Sequence, residues 1–122
     1  MPYRILIVDD DPDNRTITND ILTSNGHTVF TAVNGLEAIE MAVKEKPDMI
    51  FLDLSMPVMD GWKAASKIRS IPDTSGIPII AFTAHAMVGD EKKAIDAGCN
   101  DYLTKPCAPD KILEKVAKWG KR

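Results

Sequence analysis

Asp9, Asp10, Asp53, Thr83 and Lys105 all stand at or just past the end of a short apolar or β-branched run. Ile5-Leu6-Ile7-Val8 leads into Asp9-Asp10, Met49-Ile50-Phe51-Leu52 into Asp53, Ile79-Ile80-Ala81-Phe82 into Thr83, and Tyr102-Leu103-Thr104 into Lys105. A continuous apolar run is what a strand covered on both faces requires, and open α/β sheets gather ligands outside the carboxyl ends of such strands. Three acids, a hydroxyl and an ammonium are therefore expected to converge at one sheet edge. Carboxylates brought together repel one another, which invites a raised pKa or a hard divalent cation with oxygen ligands. Magnesium suits the position, because it binds through one or two carboxylates, keeps several waters and is commonly completed by phosphate oxygens. The residue types point to a site for a phosphoryl group.

Five strands are expected to carry these residues, at 5–8, 28–31, 49–52, 79–82 and 102–104. The segments between them read as helices. Asp11 can cap a helix opened by Pro12, with Ile17, Ile21 and Leu22 as its inward stripe and Gly26 as its end. Asn34 and Glu37 have the spacing of a capping box, and Ala38, Ile39, Ala42 and Val43 follow on one face before Pro47. A third helix starts near Asp60-Gly61 and passes through Trp62, Ala65 and Ile68 to about Ser70, where Pro72, Ser75 and Gly76 signal a loop. A fourth lies within 87–97, closed by Gly98. The fifth runs from Pro109 to about Gly120 and buries Ile112, Leu113 and Val116. Strict alternation of strand and helix implies an α/β domain with parallel strands joined by crossovers.

Composition bounds the function classes. The 122 residues are 44% apolar and 27% charged, as in a folded single domain, and no stretch approaches the length of a membrane span. Met1-Pro2-Tyr3-Arg4 lacks the apolar segment of a signal peptide, so a cytoplasmic location is expected, with Cys99 and Cys107 reduced. Two cysteines without CxxC spacing do not make a zinc or redox site. A net charge of −3 argues against direct binding to nucleic acid, and the basic tail Lys115, Lys118, Lys121, Arg122 reads as a solvated helix face.

At these residues the chain resembles the CheY-like receiver domains of two-component response regulators. The matching features are Asp9-Asp10 after the first strand and Asp53 after the third. They continue with the loop Met56-Pro57-Val58-Met59-Asp60-Gly61, Thr83-Ala84 after the fourth strand and Lys105-Pro106 after the fifth. The resemblance covers nearly the whole chain and implies a single receiver domain over 1–122. Its fold would be flavodoxin-like and doubly wound, a five-stranded parallel sheet in the order 2-1-3-4-5 with five helices.

The same resemblance implies that Asp53 is the phosphoacceptor, taking its phosphoryl group from a histidine kinase or a histidine phosphotransfer protein. Asp10, Asp53 and the backbone carbonyl of Ser55 would hold Mg2+ or Mn2+ directly, and Asp9 through water. Lys105 would pair with the phosphoryl oxygens, Thr83 would donate to them, and Tyr102 would switch rotamer as Thr83 moves. Ser55 and His85 occupy positions that tune the lifetime of the acyl phosphate, so slow self-dephosphorylation rather than turnover catalysis is expected. The output surface would be the face of helix four, strand five and helix five, including Met87, Val88, Lys92, Ile95, Tyr102 and Trp119, read by a downstream protein. The phosphodonor would contact Asn14, Arg15, Thr18, Asn19, Leu22, Cys107 and Ala108. Met1 and the basic end read as natural termini of a stand-alone regulator, with a receiver cut from a larger hybrid sensor kinase as the other reading.

Plainer roles suit several residues. Asp11 is a helix cap, His27 a turn residue, and Trp62 and Trp119 packing residues. A flavodoxin-like cofactor binder would need Gly, Ser and Thr in the loop that here reads Asp9-Asp10-Asp11-Pro12-Asp13. A Mg2+-dependent phosphatase of the aspartyl-phosphate type, the nearer alternative, would place its nucleophile after the first strand and would need length for a cap domain.

Overall fold

In the computed structural model, which describes residues 2–54, 61–83, 90–105 and 108–120, ten elements alternate along the chain. They are β1 (Arg4–Val8), α1 (Pro12–Ser24), β2 (Thr28–Ala32), α2 (Gly35–Glu45), β3 (Met49–Leu52), α3 (Gly61–Ser70), β4 (Ile79–Thr83), α4 (Asp90–Ala97), β5 (Asp101–Thr104) and α5 (Pro109–Gly120). All strand pairings are parallel, and the sheet order is β2-β1-β3-β4-β5. This is the order the family resemblance implied.

The apolar runs are continuous because each strand feeds two cores. Leu6, Val8, Ile50, Leu52, Ile79 and Ala81 face a layer with Ala38 and Ala42 of α2, Ala64, Ala65 and Ile68 of α3, and Ala94 of α4. The alternate residues Ile5, Ile7, Met49, Phe51, Ile80 and Phe82 pack with Leu22 of α1 and with Ile112 and Val116 of α5. A period of two therefore sends every second side chain to the opposite layer. Chain order doubles back at β1, which has β2 on one side and β3 on the other. The carboxyl ends of β1 and β3 thus form the switch point where such sheets bind ligands.

Helix starts follow the expected chemistry. Asp11 caps α1 by accepting from the Asp13 amide at 2.9 Å, with Pro12 in the first position. Asn34 caps α2 by accepting from the Glu37 amide at 2.9 Å, while Glu37 reaches back to the Val33 amide at 3.2 Å. The reciprocal bond thus lands one residue earlier than in a standard capping box. The Arg69 guanidinium binds the carbonyls of Gly98 and Ile77 and the side chain of Asn100, tying α3 to the turns on either side of β4.

Three expectations are corrected. Ile17 is 58% exposed and Val43 is 40% exposed, so neither belongs to an inward stripe. Thr18, one residue along from Ile17, is buried instead, because α1 turns its Thr18–Leu22 line to the sheet. Lys115 is not simply solvated, since it is half-buried and pairs with Asp101 at 2.9 Å, while Lys118 is exposed as expected and lies 3.5 Å from the same carboxylate. Lys121 and Arg122 lie outside the described residues, as does the part of the fourth helix expected before Asp90.

Candidate phosphoacceptor and metal site

Sheet hydrogen bonding continues past the strands and sets the site. The Asp9 amide donates to the Ala32 carbonyl at 3.1 Å, the Asp53 amide to the Val8 carbonyl at 3.0 Å, and the Lys105 amide to the Thr83 carbonyl at 2.9 Å. Each functional residue is therefore registered against a neighbouring strand rather than carried on a free loop. Asp9, Asp10 and Asp53 offer carboxylate oxygens that all lie within 4.8 Å of one another. Asp9 and Asp53 are buried, and Asp10 is exposed.

Lys105 supplies the countercharge. Its ammonium forms ion pairs with Asp9 Oδ2 and with Asp53 Oδ2, the latter at 3.4 Å, and it lies 5.3 Å from the centre of the Phe82 ring. One ammonium against three ionised carboxylates leaves a formal charge of −2. Buried charges are costly unless paired, so this surplus suits a divalent cation. The donor set is all oxygen, as hard cations demand, and a Mg2+ octahedron is about 4.2 Å across between opposite oxygens. The carboxylates present fit such an ion. Both oxygens of Asp9 are engaged: its Oδ1 accepts from the Asp11 amide at 3.0 Å while its Oδ2 holds Lys105.

Thr83 ends β4 with a buried side chain, paired in register with Thr104 immediately before Lys105. Tyr102 is half-buried and packs against the layer of α2, α3 and α4. Ser55 and His85 lie outside the described residues, as do Met56–Asp60, Ala84, Met87, Val88, Pro106 and Cys107. Lys92 and Ile95 are exposed on α4, and Trp119 is half-buried with Nε1 donating to Asp101 at 2.8 Å. Burial pushes the Cys99 thiol up to about 12, which leaves it protonated and unreactive near neutrality. His27 does more than form a turn: Nδ1 accepts from the Tyr3 amide at 3.0 Å and its ring stacks on Tyr3.

Two residues near the site have roles that sequence reasoning missed. Gly61 donates its amide to the Leu54 carbonyl at 3.0 Å, and a β-carbon there would collide with the Asp53 carbonyl and Leu54 Cα. Only glycine lets α3 begin against the backbone of Asp53. Arg15, expected on the donor-facing surface, also donates Nη1 to the Asp9 carbonyl at 2.9 Å. An arginine in the first turn of a helix, where cations are disfavoured, was the available signal.

With that geometry established, comparison with known proteins is direct. A family model described as the response regulator receiver domain matches residues 5–117. The chain is 31% identical over 119 residues to the polar-differentiation response regulator DivK of Brucella anthropi, covering 98% of this chain and 97% of that one. It is 40% identical over 116 residues to the response regulator MprA of Mycobacterium ulcerans, covering 95% of this chain but 49% of MprA, so it spans about half of that relative. The receiver domain of the sensor histidine kinase PA1611 of Pseudomonas aeruginosa, solved with a magnesium ion coordinated in its active-site cleft, superimposes with a TM-score of 0.92. The two are 34% identical, and the match covers all of both chains. A sheet edge carrying acids after β1 and β3 and a lysine after β5, matched across nearly its whole length, places this chain in the family of response regulator receiver domains of two-component signal transduction.

Proposed function

We propose that Asp53 is the residue that takes the phosphoryl group, with Asp9 and Asp10 completing a Mg2+ or Mn2+ site and Lys105 holding the transferred group. The observation that carries this reading is the meeting of three carboxylates within 4.8 Å under a lysine that already touches two of them. An Asp53 oxygen attacks phosphorus on a phosphohistidine or a small acyl phosphate. As the new O–P bond forms, the old P–N or P–O bond breaks and its electron pair leaves with the donor, which takes a proton from solvent where it needs one. When bound, the divalent cation screens the anionic phosphoryl group from the attacking carboxylate and aligns their oxygens.

This chain's own residues do the rest. We assign Asp10, exposed and with a carboxylate oxygen within 4.8 Å of one on Asp53, as a direct ligand. Asp9, with both oxygens already engaged, is placed to act through water. Once Asp53 becomes an acyl phosphate its negative charge moves outward onto the phosphoryl oxygens, and Lys105 can follow that charge without leaving Asp9. Thr83, at the end of β4, is placed to donate to the same oxygens, and Tyr102 to respond on the output face of α4, β5 and α5. Ser55 and His85 remain our candidates for setting the lifetime of the acyl phosphate, which water would hydrolyse to return the carboxylate and inorganic phosphate.

We read the chain as a signalling module of one domain, since the two cores share the sheet and together draw on elements from the first strand to the last helix. A histidine kinase or phosphotransfer protein would be its donor, a protein rather than nucleic acid its downstream reader, and the cytoplasm its location. No helix among the described residues is long and apolar enough to cross a membrane. The test is incubation with Mg2+ and acetyl phosphate followed by intact mass measurement. A single labile phosphate that is absent in Asp53→Asn supports the reading. Steady turnover of varied phosphate esters, or phosphate retained in Asp53→Asn, overturns it.

A further inference from the structure

Arg15 is the only described side chain bonded to the backbone of the acidic pair, through the Asp9 carbonyl at 2.9 Å. That carbonyl and the Asp10 amide belong to one planar peptide unit, so whatever holds the carbonyl also sets the plane from which Asp10 Cα departs. The residues on either side are locked: the Asp9 side chain by the Asp11 amide and Lys105, and Asp11 by its cap bond to the Asp13 amide. Asp10 itself has no hydrogen-bond or ion-pair partner among the described residues. Its direction is therefore governed by the backbone that carries it.

A guanidinium in this place is costly by ordinary helix electrostatics. Arg15 lies in the first turn of α1, where its amide bonds to the Asp11 carbonyl, and the positive end of a helix disfavours cations by about 0.3–1 kcal/mol. It also brings positive charge toward a site that must take up a cation. Its half-buried side chain nonetheless folds back over the loop to reach Asp9.

We infer that Arg15 is a positioning residue for the cation site: by holding the Asp9–Asp10 peptide through its carbonyl, it fixes the direction in which Asp10 presents its carboxylate beside Asp53. This inference rests on the reading of Asp9, Asp10 and Asp53 as that site. Charge alone predicts the opposite sign from positioning. Truncating Arg15 would tighten Mg2+ binding if only its charge mattered, weaken it if it positions Asp10, and leave it unchanged if it serves only as a contact for a donor protein.

The experiment titrates Mg2+ alone into the full chain by calorimetry, for wild type, R15M, R15K, D10N and the double variant D10N/R15M, with a circular-dichroism melt of each. We expect R15M to bind Mg2+ about tenfold more weakly, the scale on which groups that hold metal ligands act, with R15K between it and wild type. The double variant should bind no more weakly than D10N, because Arg15 acts through Asp10. At saturating Mg2+ the phosphorylation of R15M by acetyl phosphate should recover. Unchanged or tighter binding by R15M overturns the inference, as does additive loss in the double variant. If R15M does not fold, R15K and D10N/R15K decide by the same criteria. A wild type that takes up no Mg2+ removes the site reading itself and this inference with it, whereas normal binding by both wild type and R15M removes this inference alone.

Discussion

Lys105 Nζ lies 3.4 Å from Asp53 Oδ2, with the two side chains 9% and 10% exposed. The same ammonium pairs with Asp9, so one cation offsets part of the charge of the acid cluster before any metal or phosphate arrives. Lys105→Met removes that cation while keeping most of the volume. Mg2+ should then bind more tightly, because the acids lose a competing positive charge. Phosphorylation by acetyl phosphate should nevertheless slow by about 100- to 1,000-fold, since a fixed donor to the phosphoryl oxygens has gone. Calorimetry and the time course of intact mass check the two opposed effects.

Gly61 gives a steric prediction. A β-carbon there meets backbone rather than a movable side chain, so Gly61→Ala must push the start of α3 away from Asp53 and Leu54. We expect a loss of about 1–3 kcal/mol in urea unfolding, the usual cost of overpacking. A fall in phosphorylation rate should persist at saturating Mg2+.

Asp101 makes stability depend on acid. Burial alone would raise its pKa, but hydrogen bonds from Trp119 Nε1 and Lys115 and from the Tyr102 amide outweigh this, and the net shift is downward from 3.8. A group whose folded pKa is depressed contributes stability above its unfolded pKa and loses it as pH falls through the folded one. Asp101→Asn should therefore cost about 1–3 kcal/mol at pH 7 through weakened hydrogen bonds. The gap from wild type should shrink as the pH is taken well below 3.8, as urea melts at several pH values would show.

What the sequence disclosed and what it hid differ in kind. The runs at 5–8, 49–52 and 79–82 were legible because a strand serving two cores is apolar without interruption, and the acids and Lys105 were legible because they end such runs. Asp11 and Asn34 were legible as caps because their side chains do local work. Ile17 misled because α1 has several apolar positions and only packing decides which line turns inward. Arg15 and Gly61 stayed hidden because each acts on main-chain atoms, which carry no residue type. The Lys115–Asp101–Trp119 cluster joins residues 14 and 18 positions apart without a motif.

The parallel sheet also divides the molecule electrically into two poles. At the amino ends of the strands, Arg4 is tied to Glu45 and Asp48, and Asp101 to Lys115 and Trp119, through groups that meet no ligand in the proposed chemistry. At the carboxyl ends, Lys105 holds Asp9 and Asp53, acids that the proposed chemistry would have it share with a phosphoryl group. The protein thus has a clamped pole and a negotiable one. Charge arriving at the second would act against the first, where Asp101 ties the amino end of β5 to the carboxyl end of α5 as a fulcrum.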